Sequence, residues 1–244
     1  MLKLNRRSAL VASSAVFAAL YAVLGTIPIS KILLGQGYFL SASKFVSPLA
    51  GMLFGPFVGG FGALLGDLLD VYAGYISVGG TGLAITASDL ATVATAGFAY
   101  TGKWKAALAL PLIILISYWL DPISLLFVGT VPFTWLHMIS LILLGGVLLL
   151  EKTKKISKLN PIFVVGVTFG ALLCGQLTGT IVGQELSVRI YQTTSLQSWR
   201  GFVPSFFFVY PIERTFFTAV GSLISVPVLR ALWRRQHPHT LGNP

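Results

Sequence analysis

Long apolar runs separated by short polar segments limit the folds open to this sequence more than any other feature. The 244 residues are 55% hydrophobic and only 10% charged, and the mean hydropathy is +0.84. An α-helix of about 20 apolar residues crosses the hydrocarbon core of a bilayer, and soluble domains of this length do not have such a composition. The sequence therefore predicts an all-α integral membrane protein with a single transmembrane domain over residues 1–244.

Eight apolar runs are long enough to be membrane spans. They cover residues 8–28, 38–54, 57–72, 83–100, 106–127, 132–150, 161–183 and 202–229. The first run has a cleaved signal peptide as its alternative interpretation, although it is long for one. Asp121-Pro122 is also compatible with one kinked, re-entrant element in the region 106–150, so we expect a bundle of about six to eight helices.

The basic residues lie at the ends of the apolar runs, although the net charge of +10 alone would suit a nucleic-acid-binding protein. With eight spans, the side shared by both termini carries 12 of the 17 basic residues. Such an excess marks the cytoplasmic side of a membrane protein. We therefore expect cytoplasmic tails at 1–7 and 230–244, a location in the cell membrane, the lipid bilayer as a partner and no nucleic acid.

Gly55-Pro56 interrupts two apolar runs and predicts the tight turn of a helical hairpin, because proline disfavours helix at the preceding residue. Gly59, Gly62 and Gly66 follow at steps of three and four, so they share one helix face. Inside a bilayer such a face allows another helix to approach closely.

Three acids accompany this hairpin. Asp67 and Asp70 lie about one turn apart near its outer end, and Asp89 lies near the outer start of the next span. An acid within a membrane span is costly and indicates a functional role, so the three are candidates to line one outward-facing cavity. Helix capping and hydrogen bonding to serine or backbone are the structural alternative, above all for Asp89 after Ser88.

Glu213-Arg214 is an oppositely charged pair within the last span. Because adjacent helical residues do not face each other, we expect each to have another partner, such as Asp67, Asp70 or a ligand for Arg214. A structural ion pair near Pro211 is the alternative.

Tyr38 and Tyr75 lie on the proposed outer side, where they are candidates to stack on a ring-bearing ligand or members of the interfacial aromatic belt. His137 has no second histidine or acid at ligand spacing, and Cys174 is the single cysteine, so we expect no metal site.

The first span carries a stripe of small residues at Ala12, Ala15, Ala19 and Ala22. Their steps of three and four place them on one helix face, which favours helix contact over lipid contact. That contact is either with other helices of this chain or with another membrane subunit.

No catalytic pattern is present. The sequence lacks a phosphate-binding Gly-x-x-x-x-Gly-Lys-Ser/Thr loop and any nucleophile at a base's spacing. We therefore expect no enzyme activity and no cofactor, and a pump would need its ATPase on another chain.

Three of these features together resemble the substrate-binding S components of energy-coupling factor (ECF) transporters. They are the alanine stripe, the hairpin from Phe54 into Gly66-Asp67, and a last span that reads Glu213-Arg214-x5-Val220-Gly221-x5-Pro227. The resemblance covers roughly residues 8–100 and 205–233, and the chain has about two more spans than the six usual for that family.

The resemblance implies a protein of the prokaryotic plasma membrane that binds a water-soluble vitamin or related micronutrient from outside, beneath a lid at 29–37. It implies that the alanine face contacts a transmembrane coupling subunit driven by two cytoplasmic ATPases. The substrate itself does not transfer between members. The alternatives are a stand-alone secondary transporter or facilitator, disfavoured by the lack of internal repeats, and a membrane enzyme acting on lipid.

The topology predicts that reporter fusions after Lys105, Lys158 and Arg235 all report a cytoplasmic location, because each follows a cluster of basic residues. A fusion series with a periplasmic and a cytoplasmic reporter measures this. An external location at Lys158 would contradict the arrangement of eight spans.

Overall fold

Helices account for most of the backbone that the structure describes. The computed structural model describes residues 7–29, 41–75, 80–126 and 133–236. Those residues form helices and no strand beyond one isolated bridge between Pro28 and Ser41. Tyr38 and most of the predicted lid at 29–37 lie outside the described residues.

We number the helices α1 to α8 in chain order, with a 3-10 turn before α2 and a π-helical turn after α7. They are α1 (Arg7–Gly25), the 3-10 turn (Ala42–Phe45), α2 (Ser47–Tyr72), α3 (Gly80–Tyr100), α4 (Trp104–Leu120), α5 (Pro122–Leu125), α6 (Trp135–Lys152), α7 (Pro161–Gln184), the π-helical turn (Glu185–Ile190) and α8 (Leu196–Gln236).

Five helices of the described part have the length and composition of membrane spans: α2 with both of its arms counted, α3, α6, α7 with its π-helical turn, and α8. Two shorter apolar helices, α1 and α4, accompany them. By the length and composition of its helices the chain is a multi-pass helical membrane protein, as predicted.

The hairpin turn occurs at Gly55-Pro56, within α2. Gly55 adopts φ 80° and ψ 177°, a conformation open to glycine but not to residues with a β-carbon. A β-carbon on Gly59 would lie 2.8 Å from the carbonyl oxygen of Ala50, whereas nine residues of straight helix rise about 13 Å. The chain therefore folds back on itself at this point, and the two arms of α2 lie side by side.

The first arm is shorter than predicted, and the predicted span 38–54 is wrong in its length. The helical arm starts only at Ser47, with Pro48 in its first turn, a position that proline favours. Before it, serine hydroxyls bond locally: Ser41 to Ser43 at 2.6 Å, and Ser47 to the carbonyl of Ser43 at 3.1 Å. Such local bonds compete with helix formation, and the eight-residue arm that remains is about 12 Å long.

Two other boundaries also differ from prediction. The span predicted at 106–127 ends at Leu120, because Asp121 is extended (ψ 127°) and its carboxylate accepts a 2.7 Å bond from the Ser124 amide to start α5. The tail predicted from residue 230 continues α8 to Gln236, with Arg234 and Arg235 in the last turn, where positive charge favours a helix. The middle region forms two separate helices, α4 and α6, rather than one kinked element.

The turn between α3 and α4 lies beside the loop between α6 and α7. The Tyr100 hydroxyl donates to the Lys158 carbonyl at 2.9 Å, and Lys158 Nζ donates to the Tyr100 carbonyl at 2.8 Å. Lys152 Nζ lies 4.4 Å from the centre of the Trp104 ring. The two basic loops that the charge pattern assigns to one side of the membrane therefore lie together at one end of the bundle.

The hairpin bend packs directly on α3 through Gly97. A β-carbon there would overlap Gly55 and the backbone nitrogen of Pro56, which are backbone atoms and cannot turn aside as a flexible side chain can. The bend and α3 therefore approach as closely as two backbones allow.

We expect Gly97→Ala to destabilise the protein by about 1–3 kcal/mol, the usual cost of overpacking. The matched control is Gly146→Ala on α6, where a β-carbon would meet nothing within 4 Å. Thermal unfolding in detergent measures both variants. Equal midpoints for the two would show that the bend does not depend on this approach.

Candidate functional site

A buried ion pair joins the 3-10 turn to the middle of α3. Lys44 Nζ lies 2.5 Å from Asp89 Oδ1, and the two side chains are 2% and 0% exposed. Lys44 also donates to the Ser88 hydroxyl at 3.4 Å, and Asp89 accepts a 3.3 Å bond from the Ser47 hydroxyl. Taking two charges out of water costs several kcal/mol per ion, so the fold carries a costly pair near the middle of a membrane-length helix.

Tyr21 brings α1 into the same network. Its ring is fully buried, and its hydroxyl lies 3.1 Å from the Ser47 hydroxyl. Helix α1 reaches this position because it runs alongside the second arm of α2, where Gly62 lies against Phe17 and Gly66 against Tyr21. Of the glycine face predicted from the sequence, Gly62 and Gly66 thus contact α1, whereas Gly59 lies against Ala50 of the first arm and Val93 of α3.

Asp67 and Asp70 lie on the second arm of α2, each 2% exposed. Asp67 hydrogen-bonds to Thr86 and interacts electrostatically with Lys44 and Asp89. Asp70 interacts electrostatically with Asp89 and lies at the end of α1. These interactions link Asp67 and Asp70 to Asp89 and to its partner Lys44, whereas the outward-facing cavity that the three acids are expected to line stays a prediction.

A β-carbon placed on Gly25, the last residue of α1, would overlap the Asp70 carboxylate. Because Gly25 has no side chain, the Asp70 carboxylate can lie directly against the end of α1.

Glu213 and Arg214 approach the same group from α8 and are 3% and 5% exposed. Contrary to prediction the two adjacent side chains do approach each other, with 3.8 Å between Arg214 Nη2 and Glu213 Oε2, the outer limit of an ion pair. Each also has a further charged neighbour: Glu213 interacts electrostatically with Lys44, and Arg214 with Asp89 rather than with the expected Asp67 or Asp70. We call these six residues, Lys44, Asp67, Asp70, Asp89, Glu213 and Arg214, the charged cluster.

The candidate Tyr75 lies outside the charged cluster. Its backbone amide donates to the Asp70 carbonyl at 2.9 Å, but its side chain is 56% exposed. The candidate Tyr38 lies outside the described residues.

The alanine stripe faces away from the other helices that the structure describes. Ala12, Ala15 and Ala19 are exposed and Ala22 is half-buried. The opposite face of α1 makes its internal contacts, through Ser14, Phe17, Ala18 and Tyr21, all of which are buried.

Lys44 is the principal residue that sequence reasoning missed. A single lysine among the apolar residues 38–54 is itself a signal for a buried partner. Its acid lies 45 positions away along the chain, and no local pattern connects the two.

A second group that the sequence did not reveal lies next to the charged cluster. The buried His137 ring on α6 stacks on Tyr210 of α8, with 5.6 Å between ring centres and 27° between planes. The Tyr210 hydroxyl donates to the Phe133 carbonyl at 2.6 Å, and Arg214 and His137 interact electrostatically. Aromatic surface therefore adjoins the cluster on the side of α8.

Asp121 belongs to a separate, structural network. Besides capping α5, it accepts a 2.7 Å bond from Gln184 Nε2, which also lies 2.7 Å from the Ser124 hydroxyl. Its carboxylate is thereby satisfied within the fold.

In the described part of the chain no group of three or more His, Cys, Asp or Glu side chains is arranged to hold a metal ion. The charged cluster has two serine neighbours, Ser88 on Lys44 and Ser47 on Asp89. Its buried charges and hydrogen-bonding groups are suited to binding a small polar molecule between helices.

Comparisons of the chain with protein-family models, with curated proteins and with solved structures found no match.

We expect Lys44→Met or Asp89→Asn alone to destabilise the protein strongly, by about 3–5 kcal/mol, because each leaves one buried charge without its partner. The double variant should recover most of that loss. A double-mutant cycle on thermal unfolding in detergent measures the coupling. Additive losses in the double variant would show that the pair does not stabilise the fold through its mutual attraction.

Proposed function

We propose that this chain is the membrane-embedded substrate-binding subunit of an importer of the ECF type, taking a water-soluble vitamin or related micronutrient from outside the cell. It works in the prokaryotic plasma membrane with both termini in the cytoplasm. Its partners are a transmembrane coupling subunit and two cytoplasmic ATPase subunits, and the chain has no catalytic role and no cofactor of its own.

The exposed alanine face of α1 carries this proposal. Ala12, Ala15 and Ala19 point away from the described helices while the opposite face is fully packed. A helix side that meets lipid gains nothing from small residues, whereas a second helix approaches closely only where side chains are small. The alanine face is therefore the surface on which the coupling subunit docks.

The charged cluster supports the binding role. Six ionisable side chains from the 3-10 turn, α2, α3 and α8 converge, each 5% exposed or less. Ionisable groups within membrane-length helices mark substrate or ion pathways. The charged cluster is thus the substrate site of the proposed importer subunit, with Asp67, Asp70, Asp89, Glu213 and Arg214 as the sequence-derived candidates and Lys44 added.

The same cluster also favours a second candidate, a stand-alone secondary transporter or facilitator for a small polar metabolite. Buried acids beside a lysine are suited to moving a coupling ion or proton. Uptake by the purified chain alone, reconstituted in vesicles without ATPases, would support this second candidate over the first.

We expect Ala15→Trp to abolish uptake in cells and copurification with the ATPases, because a bulky side chain holds the coupling helix away. The purified variant should unfold at the same temperature as the wild type. The matched control is Leu20→Trp, at a position of the same helix that is 48% exposed and already carries a large side chain. It should keep uptake, and both readouts are measured on both variants.

A lower unfolding temperature for Ala15→Trp together with lost uptake would contradict the docking role. Overpacking inside the chain costs about 1–3 kcal/mol, so that result would assign the alanine face to internal packing. Equal loss of uptake in the Leu20→Trp control would show that α1 does not tolerate any tryptophan and that the alanine face has no special role.

A further inference from the structure

We infer that the charged cluster binds a small organic cation with N–H donors, such as an amidinium or aminium group attached to a ring. This inference names the substrate class of the site and rests on the proposed function, in which the cluster is where substrate binds. It follows from the balance of charge in the cluster, from carboxylate oxygens without partners, and from the aromatic surface beside them.

The charge of the cluster does not balance. Four of its members are acids and two are bases, all 5% exposed or less: Asp67, Asp70, Asp89 and Glu213 against Lys44 and Arg214. Lys44 pairs with Asp89, and Arg214 lies 3.8 Å from Glu213. Asp67 and Asp70 have no base of their own among the described residues. Buried carboxylates are stable when paired, and a ligand cation completes the pairing.

Three carboxylate oxygens in the cluster lack a hydrogen-bond partner within the described part of the protein. They are Asp67 Oδ2, Asp89 Oδ2 and Glu213 Oε1, on α2, α3 and α8. Each residue is at most 3% exposed, so water does not reach these atoms freely. Leaving a buried acceptor unsatisfied is costly, and most of all for a charged group. All three carboxylates interact with Lys44, and acceptors on three helices around one base are matched by a ligand that donates several N–H bonds.

The surroundings favour an organic cation over a metal ion. No metal-binding group of acids and histidines occurs in the described residues. Instead, the stacked rings of His137 and Tyr210 adjoin Arg214. Both nitrogens of the buried His137 ring lack a hydrogen-bond partner in the described residues. Aromatic faces attract cations, and they provide the apolar surface that a ring needs.

Three probes of one shape and different charge test the inference: benzamidine (cationic, with N–H donors), benzamide (neutral) and benzoate (anionic). Each is added at the same millimolar concentration to wild-type protein in detergent from which small molecules have been removed by exhaustive washing. We expect benzamidine alone to raise the unfolding temperature. Asp67→Asn should abolish that rise.

The same experiment reports on the empty protein. Asp67→Asn removes a carboxylate without a base, so without any probe it should unfold about 2–4 °C higher than the wild type. The matched control is Asp121→Asn, whose carboxylate is fully used within the fold. It should unfold at a lower temperature and keep the benzamidine shift.

A shift with benzoate or benzamide equal to that with benzamidine would overturn the inference, as would the absence of any benzamidine shift. An empty Asp67→Asn protein that is no more stable than the wild type would also overturn it, because Asp67 would then carry no uncompensated charge. These results can be told apart from a failure of the proposed function. If the benzamidine shift is absent but the ATPases still copurify, the importer proposal stands and the cation inference is wrong. If benzamidine shifts the unfolding temperature of a chain that binds no ATPases, the cation inference stands and the importer proposal is wrong.

Discussion

The buried ion pair between Lys44 and Asp89 depends on the positions of three helices and of the 3-10 turn. Its two members are both almost completely buried, and one comes from a short 3-10 turn while the other lies near the middle of α3. A buried pair is worth its desolvation cost only if geometry and additional hydrogen bonds are good. Ser47 and Ser88 supply those bonds, and Tyr21 in turn holds Ser47, so three helices and the turn are positioned around a single charge contact.

The hairpin bend makes this contact possible. The chain reverses at Gly55, and Gly97 lets this bend lie directly on α3. Measured from the bend, the short first arm extends only partway along the bundle. The 3-10 turn at its start is therefore level with Asp89 rather than at the end of α3. A first arm of full length would carry Lys44 to the bundle end, where water would solvate it and no buried acid would be needed.

Most features that the sequence predicted correctly depend on residues close together in the chain. The apolar runs, the Gly55-Pro56 turn and the glycine face from Gly59 to Gly66 are local patterns of helix period and of turn chemistry. Asp67, Asp70 and Asp89 could be expected near one another because α2 and α3 follow each other in the chain, although Asp89 lies near the middle of α3 rather than at its start. Spans that were too long, such as 106–127, came from apolar residues that continue past a side-chain cap, here the one made by Asp121.

Features that depend on distant residues were not predictable in this way. Lys44 finds its acid 45 residues away, and the stacking of His137 on Tyr210 joins α6 to α8. The first arm of α2 starts late because serine hydroxyls bond locally before it. Hydropathy does not measure how such bonds compete with helix formation. The orientation of the alanine face was left open because the stripe alone does not say which side of α1 packs inward, whereas Phe17 and Tyr21 define that side in the fold.

The shortened first arm has an electrostatic consequence of its own. A helix carries the equivalent of about half a positive charge at its N-terminus, and the N-terminus of this arm, at Ser47, lies against the Asp89 carboxylate. No side chain caps that terminus. The arm therefore places a positive end of a helix dipole deep among the bundle helices, as the interrupted helices of transporters do. Backbone alone thus adds positive potential beside the Asp89 carboxylate, deep among the bundle helices rather than at their ends.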